Sequence, residues 1–280
     1  MAQETFGDRL ASLASSRGQL CVGIDPHPAL LEAWGLPVNP AGVKRFSELC
    51  VEAFGDLVAL VKPQVAFYEQ FGARGFEVLE ATIAGLRKAG ALVVADAKRG
   101  DIGSTMAGYA RAWLDDASPL ACDAVTVSPF LGTGSLDPVV HLAEETGRGI
   151  FVLAATSNPE ARNFQDRCDS TGRTISQAVV DFCGEINARH QDLGNLGVVV
   201  GATLTNPPSI AQLRGPVLLP GVGAQGAGVA DVMRIMGQQA SWAYPNVSRA
   251  VLQEGPNVAA LRAAVRQYSV QFARPQERAK

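Results

Sequence analysis

The segment ALVVADAKRGDIGST (91–105) begins as an apolar run, becomes charged at Asp96 and Lys98, and breaks at Gly100 into a polar stretch. A short strand that is apolar throughout, with polar groups only at its C-terminal end, suits a parallel sheet covered by helices. The residues before it supply such a helix. FEVLEATIAGLRKAG (76–90) sets Val78, Leu79, Ile83 and Leu86 on one stripe and stops at Gly90, a glycine C-cap.

The same unit recurs outward in both directions. QLCVGIDP (19–26) and LVALVKPQ (57–64) precede it, and CDAVTVSP (122–129), GIFVLAAT (149–156), LGVVVGAT (196–203), PVLLPGV (216–222) and SWAYPNVS (241–248) follow. SQAVVDFCGEINARHQ (176–191) is a second clear amphipathic helix, with Val179, Val180, Cys183 and Ile186 on its stripe. Strand and helix alternating eight times predict a (β/α)8 TIM barrel, an α/β fold closed in one domain over 1–280. A helix at about 4–17, carrying Phe6, Leu10, Leu13 and Ala14, is expected to precede the first strand, and 272–280 to form a mobile tail. The short interval between the sixth and seventh strands leaves room only for a small helix around Ser209 to Leu213.

Composition removes several classes of function. Lys+Arg 24 against Asp+Glu 27, a net charge of −3 without basic blocks, argues against a nucleic-acid surface. No apolar run approaches the roughly 18 residues that span a bilayer, and the N-terminus lacks the basic and apolar regions of a secretory signal. Five dispersed cysteines without a CxxC suit reduced thiols in the cytoplasm, and three lone histidines suggest no built-in metal site.

In such a barrel the working residues stand at the C-terminal ends of the strands. Asp96 and Lys98, two apart, are expected on one face of the strand, with Ala97 on the other. Lys62 ends the neighbouring strand and Asp101 follows the Gly100 turn, so Lys62, Asp96, Lys98 and Asp101 form a candidate network of alternating charge. The other reading is an ion-pair network that only satisfies charge at the rim. Asp25 ends the first strand as a ligand or as an Asp-Pro turn, and His27 reads as a loop residue. Late in the chain, PGVGAQGAG (220–228), with Gly223 and Gln225, is followed by Ser248-Arg249 after the eighth strand. Loops after strands seven and eight often bind phosphate, so this pair reads as a phosphate site, or else as plain turns.

DAKRGDIGST (96–105) resembles the DxKxxDIGxT signature of orotidine 5′-phosphate decarboxylases. VKPQVAFYEQFG, ATSNPE and LLPGVGAQGA are similar to segments of the longer bacterial subfamily, so the resemblance spans about Asp25 to Arg249. It implies decarboxylation of orotidine 5′-phosphate to UMP in pyrimidine biosynthesis, without a cofactor, by a barrel homodimer. Asp25 and Lys62 would then contact the ribose, and Asp96 and Lys98 would flank C6 of the pyrimidine, with Lys98 protonating that carbon. Asp101, Ile102 and Thr105 would enter the site of the partner copy. Thr156-Ser157 would touch the base, and Gln225 with Arg249 would hold the phosphate. Ser104 stands where Asn is frequent in the family, and Glu160 where Gly is usual. Three other readings remain: a metal-dependent phosphosugar barrel, such as a hexulose-phosphate synthase or keto-gulonate-phosphate decarboxylase; a Schiff-base aldolase using Lys62 or Lys98; and a barrel that binds a phospho-ligand without catalysis.

Overall fold

A computed structural model describes residues 3–272. Eight parallel strands close on themselves in sequence order: β1 (Cys21–Ile24), β2 (Leu60–Pro63), β3 (Leu92–Arg99), β4 (Ala124–Val127), β5 (Gly149–Ala155), β6 (Leu196–Val200), β7 (Val217–Pro220) and β8 (Ala243–Val247). Closure runs through β1 and β8, with Cys21 opposite Asn246 and Val22 opposite Val247. The helices are α1 (Phe6–Arg17), α2 (Pro28–Ala33), α3 (Pro40–Phe54), α4 (Ala66–Glu69), α5 (Gly72–Lys88) and α6 (Gly103–Leu114). They continue with α7 (Asp137–Thr146), α8 (Arg162–Gln165), α9 (Ile175–Asn187), α10 (Val229–Met236), α11 (Arg249–Leu252) and α12 (Val258–Gln271).

The apolar stripes read from sequence are the buried faces. Val78, Leu79, Ile83 and Leu86 of α5, and Val179, Val180, Cys183 and Ile186 of α9, pack against the strands in one large core. A second core fills the barrel itself, where Cys21, Leu60, Val94, Ala124, Phe151, Val199, Leu218 and Tyr244 meet Phe6, Leu10 and Ala14 of α1. Helix α1 therefore closes the end of the barrel opposite the strand C-termini. Thr5 caps it by accepting from the Asp8 N–H at 3.1 Å. Phe6 meets Phe151 edge-on, 5.8 Å between ring centres, and Gly149 makes this possible, since a Cβ there would stand 2.3 Å from the Phe6 ring.

The small helix expected around Ser209 to Leu213 is not formed. A single turn stands in its place, with the Leu213 N–H donating to the Ile210 carbonyl at 3.1 Å. Pro207 and Pro208 lack amide hydrogens and Pro216 closes the interval, so too little chain remains for a helical ladder. Ile210 and Leu213 are buried in that turn and cover the sheet as a helix would. The N-terminal helix starts at Phe6, with Thr5 outside it. The tail expected at 272–280 lies, from 273 onward, outside the described residues.

Candidate active site

The strand C-termini open on a cavity of about 570 Å³, lined among others by Asp25, Lys62, Asp96, Lys98, Thr156, Gln225, Ser248 and Arg249. Its wall carries the carboxylate of Asp96, a residue 8% exposed. Lys62 Nζ stands 2.8 Å from Oδ2 and Lys98 Nζ 2.5 Å from Oδ1. The Gln64 amide donates to Oδ2 at 2.8 Å and the Thr126 hydroxyl to Oδ1 at 3.0 Å. Both oxygens are thus doubly engaged by four donors, two of them cationic.

Burial alone would raise the carboxyl pKa, but the two ammonium groups outweigh it and hold Asp96 well below the ordinary carboxylate range. For Lys62, burial favours loss of the proton, yet Asp96 and Asp25 outweigh it and raise the group above the usual lysine value. Cys21, beneath Lys62, is pushed up to about 12 by burial and remains a thiol. The cluster is therefore a fixed array of two positive charges around one negative charge, with Asp25 nearby.

Asp96 and Lys98 do reach one cavity, but not through regular strand alternation. The pairing of β3 with β4 slips from Ala95 opposite Val125 to Arg99 opposite Val127. Four residues of β3 advance against two of β4, a bulge, and within it Lys98 adopts φ 48°. Ala97 is turned into the core. Bulges beside active sites re-aim side chains in this way.

The remaining expected residues divide. Asp25 lines the cavity, and its Oδ1 is buried without a hydrogen-bond partner. Gly23 makes room beside it, because a Cβ there would lie 1.8 Å from Ser248 Oγ. Asp101 does not join the network of its own chain. It is partly exposed, and its Oδ1 accepts from the Ile102 N–H at 2.8 Å. Ile102, the N-cap of α6 and 62% exposed, and Thr105, exposed in the first turn of α6, follow it. Thr156 lines the cavity with its hydroxyl already engaged, close to Asn158 Oδ1 at 2.7 Å and accepting from Gln165 Nε2 at 3.0 Å. Ser157 lies at the mouth, its Oγ 3.4 Å from Gln225 Oε1. Gly223 shapes the β7 loop at φ 75°, its N–H donating to the Ala227 carbonyl at 3.0 Å, without lining the cavity.

Gln64 and Asn246, which line the cavity, and Thr126, buried against Asp96, are polar groups that spacing did not single out. Gln64 had a signal, since it stands two residues beyond Lys62. Thr126 is the one polar residue inside AVTV of β4, which also marks it. Asn246 lies within a strand expected to be apolar, and its amide donates to the Cys21 carbonyl at 3.3 Å. Leu153, Val199 and Leu218 supply an apolar floor.

With this geometry the comparisons agree. The model of the orotidine 5′-phosphate decarboxylase / HUMPS family matches residues 18–264. The chain is 63% identical over 272 residues to the orotidine 5′-phosphate decarboxylase of Corynebacterium efficiens, covering 96% of this chain and 97% of that one. It is 52% identical over 270 residues to that of Streptomyces coelicolor, covering 96% and 97%. A crystal structure of a Streptomyces avermitilis protein described as an orotidine 5′-phosphate decarboxylase superposes with a TM-score of 0.93 at 51% identity, covering 97% of this chain and 96% of that one. Motif, barrel and overall similarity lead to one assignment: the chain belongs to the orotidine 5′-phosphate decarboxylase / HUMPS family.

Proposed function

We propose that the protein decarboxylates orotidine 5′-phosphate to UMP, in the cytoplasm, as a homodimer and without a cofactor. The observation that carries this reading is the Asp96 carboxylate clamped between Lys62 and Lys98 at 2.8 and 2.5 Å on the wall of the cavity. A cavity of about 570 Å³ suits a nucleoside monophosphate. The charged cluster at one side and Gln225 with Arg249 at the other match a ligand with its reacting carbon at one end and its phosphate at the other.

The chemistry follows from the charges. When the bond from C6 to the carboxylate breaks, CO₂ leaves and the electron pair stays on C6, in the plane of the ring. Lys98, partly exposed to the cavity, stabilises that pair electrostatically and then transfers its Nζ proton to C6; solvent restores the ammonium. Asp96, kept ionised by both lysines, holds the Lys98 ammonium in place. Asp25, which lines the cavity, accepts from a ribose hydroxyl, and Lys62 donates beside it. Ser157 and Gln225 together read the base edge, since the Thr156 hydroxyl is already engaged within its own loop. Arg249 and Gln225, with Ser248 and the loop shaped by Gly223, hold the phosphate.

The dimer rests on the placement of Asp101, Ile102 and Thr105. They face away from their own cluster, and the β4 loop beside them exposes Phe130 (71%) and Leu131 (53%). That loop is tied to β3 where the Ser128 N–H donates to the Arg99 carbonyl at 2.8 Å. An exposed apolar strip beside an unused carboxylate fits a second copy that receives Asp101 into its site.

The metal-dependent reading is disfavoured by the donor set, since both Asp96 oxygens already receive cationic donors. Chelator-treated protein is incubated with orotidine 5′-phosphate and followed by loss of substrate absorbance and release of CO₂. Full activity supports the proposal; activity restored only by a divalent cation, or binding without turnover, rejects it.

A further inference from the structure

We propose that Arg99 is a positioning residue for Lys98: its guanidinium ties α4 to α6 and holds the Ala97–Lys98 peptide in the turn that lays the Lys98 ammonium on Asp96. Its consequence for turnover rests on the decarboxylase reading above; the clasp itself rests on geometry.

Lys98 and Arg214 are the two non-glycine residues with positive φ among the described residues, at 48° and 49°. A side chain in that region crowds its own backbone, and the conformation persists only where the surroundings impose it. On the barrel side, the Lys98 N–H donates to Thr126 Oγ1 at 2.9 Å and Nζ lies 2.5 Å from Asp96. Those contacts reward the turn once it is made. They leave the next residue free to unwind it.

Arg99 removes that freedom. Its carbonyl accepts from the Ser128 N–H at 2.8 Å, anchoring the end of the bulge to the β4 loop. Its Nη1 donates back to the Ala97 carbonyl at 3.2 Å, so a side-chain bond spans Lys98 from one neighbour to the other. Its Nη2 donates to Glu69 Oε1 at 2.9 Å, at the end of α4, the helix that follows the strand carrying Lys62. The guanidinium carbon lies 5.7 Å from the Tyr109 ring centre and 6.0 Å from that of Trp113, both on α6.

One planar fork thus meets a carbonyl, a carboxylate and two aromatic rings at once. Lysine, a point charge on a flexible stem, can keep the Glu69 pair but not all the contacts together. A plain exposed ion pair contributes little, and Arg45 with Glu48 at 3.5 Å is such a pair here. Arg99 differs because it is 21% exposed in its side chain and bonds to the carbonyl just before the strained lysine.

The test compares Arg99→Met, which keeps the stem and removes the fork, with Arg99→Lys and the parent protein. Arg99→Met is expected to lower kcat on the order of a hundredfold, the scale on which a displacement of about 1 Å acts. KM for orotidine 5′-phosphate should stay within about twofold, because the substrate contacts are elsewhere. Arg99→Lys is expected to recover part of the loss. A crystal structure of Arg99→Met should show Lys98 Nζ moved away from Asp96. An unchanged kcat in a folded Arg99→Met overturns the proposal, as does a Lys98 that keeps its position.

If the parent itself fails to decarboxylate, the functional reading is lost, and the position of Lys98 in the variant crystal still decides the clasp. Should Arg99→Met fail to fold, Glu69→Gln carries the same two readouts. That change at a 44% exposed side chain is expected to reduce kcat about threefold to tenfold, by loosening one arm of the fork. No change in kcat or in Lys98 there also overturns the proposal.

Discussion

Asp96 concentrates the energetics of the site in one carboxylate. Folding favours its charged form, so its clamp contributes stability that is full above the ordinary value of 3.8 and is lost as pH falls through the lower folded value. Lys62 works with the opposite sign. Its contribution is full below the ordinary 10.5 and is lost only as pH rises through the higher folded value. The pair is therefore constant across the neutral range. Asp96→Ala leaves a buried ammonium without its main partner, a change expected to cost about 3 kcal/mol in urea unfolding near pH 7. The gap between parent and variant should narrow below about pH 4, where Asp96 of the unfolded parent takes up a proton that the folded clamp excludes; a gap that stays constant from pH 7 to pH 2 contradicts the clamp. Lys98→Ala removes from the cavity edge the ammonium group proposed as the proton donor. Its turnover is expected to fall by at least about a thousandfold, within the scale of combined acid and electrostatic catalysis. Near-normal decarboxylation by that variant rules out the assigned role.

At the scale of elements, the two ends of the barrel carry separate tasks. Helix α1 seals the lower end with Phe6 and Leu10, both wholly buried. Phe6→Ala is expected to destabilise the protein by about 3–5 kcal/mol while kcat of the folded fraction stays near the parent value. Denaturant midpoints and active-site-normalised rates separate the two quantities. The upper end is built from loops, and the β7 loop needs glycine at Gly221, Gly223 and Gly226, with φ of 103°, 75° and 89°. This backbone lets Gln225 lean over the cavity beside Arg249. Arg249→Ala is expected to weaken UMP binding by about tenfold to a hundredfold, the value of a charge-assisted contact. Calorimetry with UMP and with uridine distinguishes the cases, since uridine, lacking phosphate, should lose little.

At the scale of the whole molecule, one chain leaves its site without Asp101 and exposes Ile102, Phe130 and Leu131 together on neighbouring loops. Sedimentation is expected to give a dimer, and Ile102→Asp a monomer with sharply reduced turnover. A fully active monomer of that variant refutes the shared site. Much of this architecture was legible beforehand. Apolar runs ending in Asp25, Lys62, Asp96 and Thr156 mark both the strands and their working ends, because a strand buried on both faces tolerates polar groups only where it emerges. The interval from Gly201 to Pro216 was not legible in the same way. Its apolar residues Ile210 and Leu213 are buried without a helix, because prolines remove the ladder while leaving the need for cover.

The sequence by itself determined the period of strands and helices, the closed barrel and several of the polar residues that line the cavity at the strand C-termini. Those properties depend on local patterning and on the repeat of one unit. Only the tertiary structure decided how Lys98 reaches Asp96. A regular strand would place the two side by side, whereas here a slipped register, a left-handed backbone and the neighbouring Arg99 bring the ammonium to the carboxylate. It also decided that Asp101 stands apart from the cluster of its own chain, since direction after a turn depends on packing against the next loop. Spacing names the charges; the balance of burial, strain and hydrogen bonding among distant segments sets where each one points.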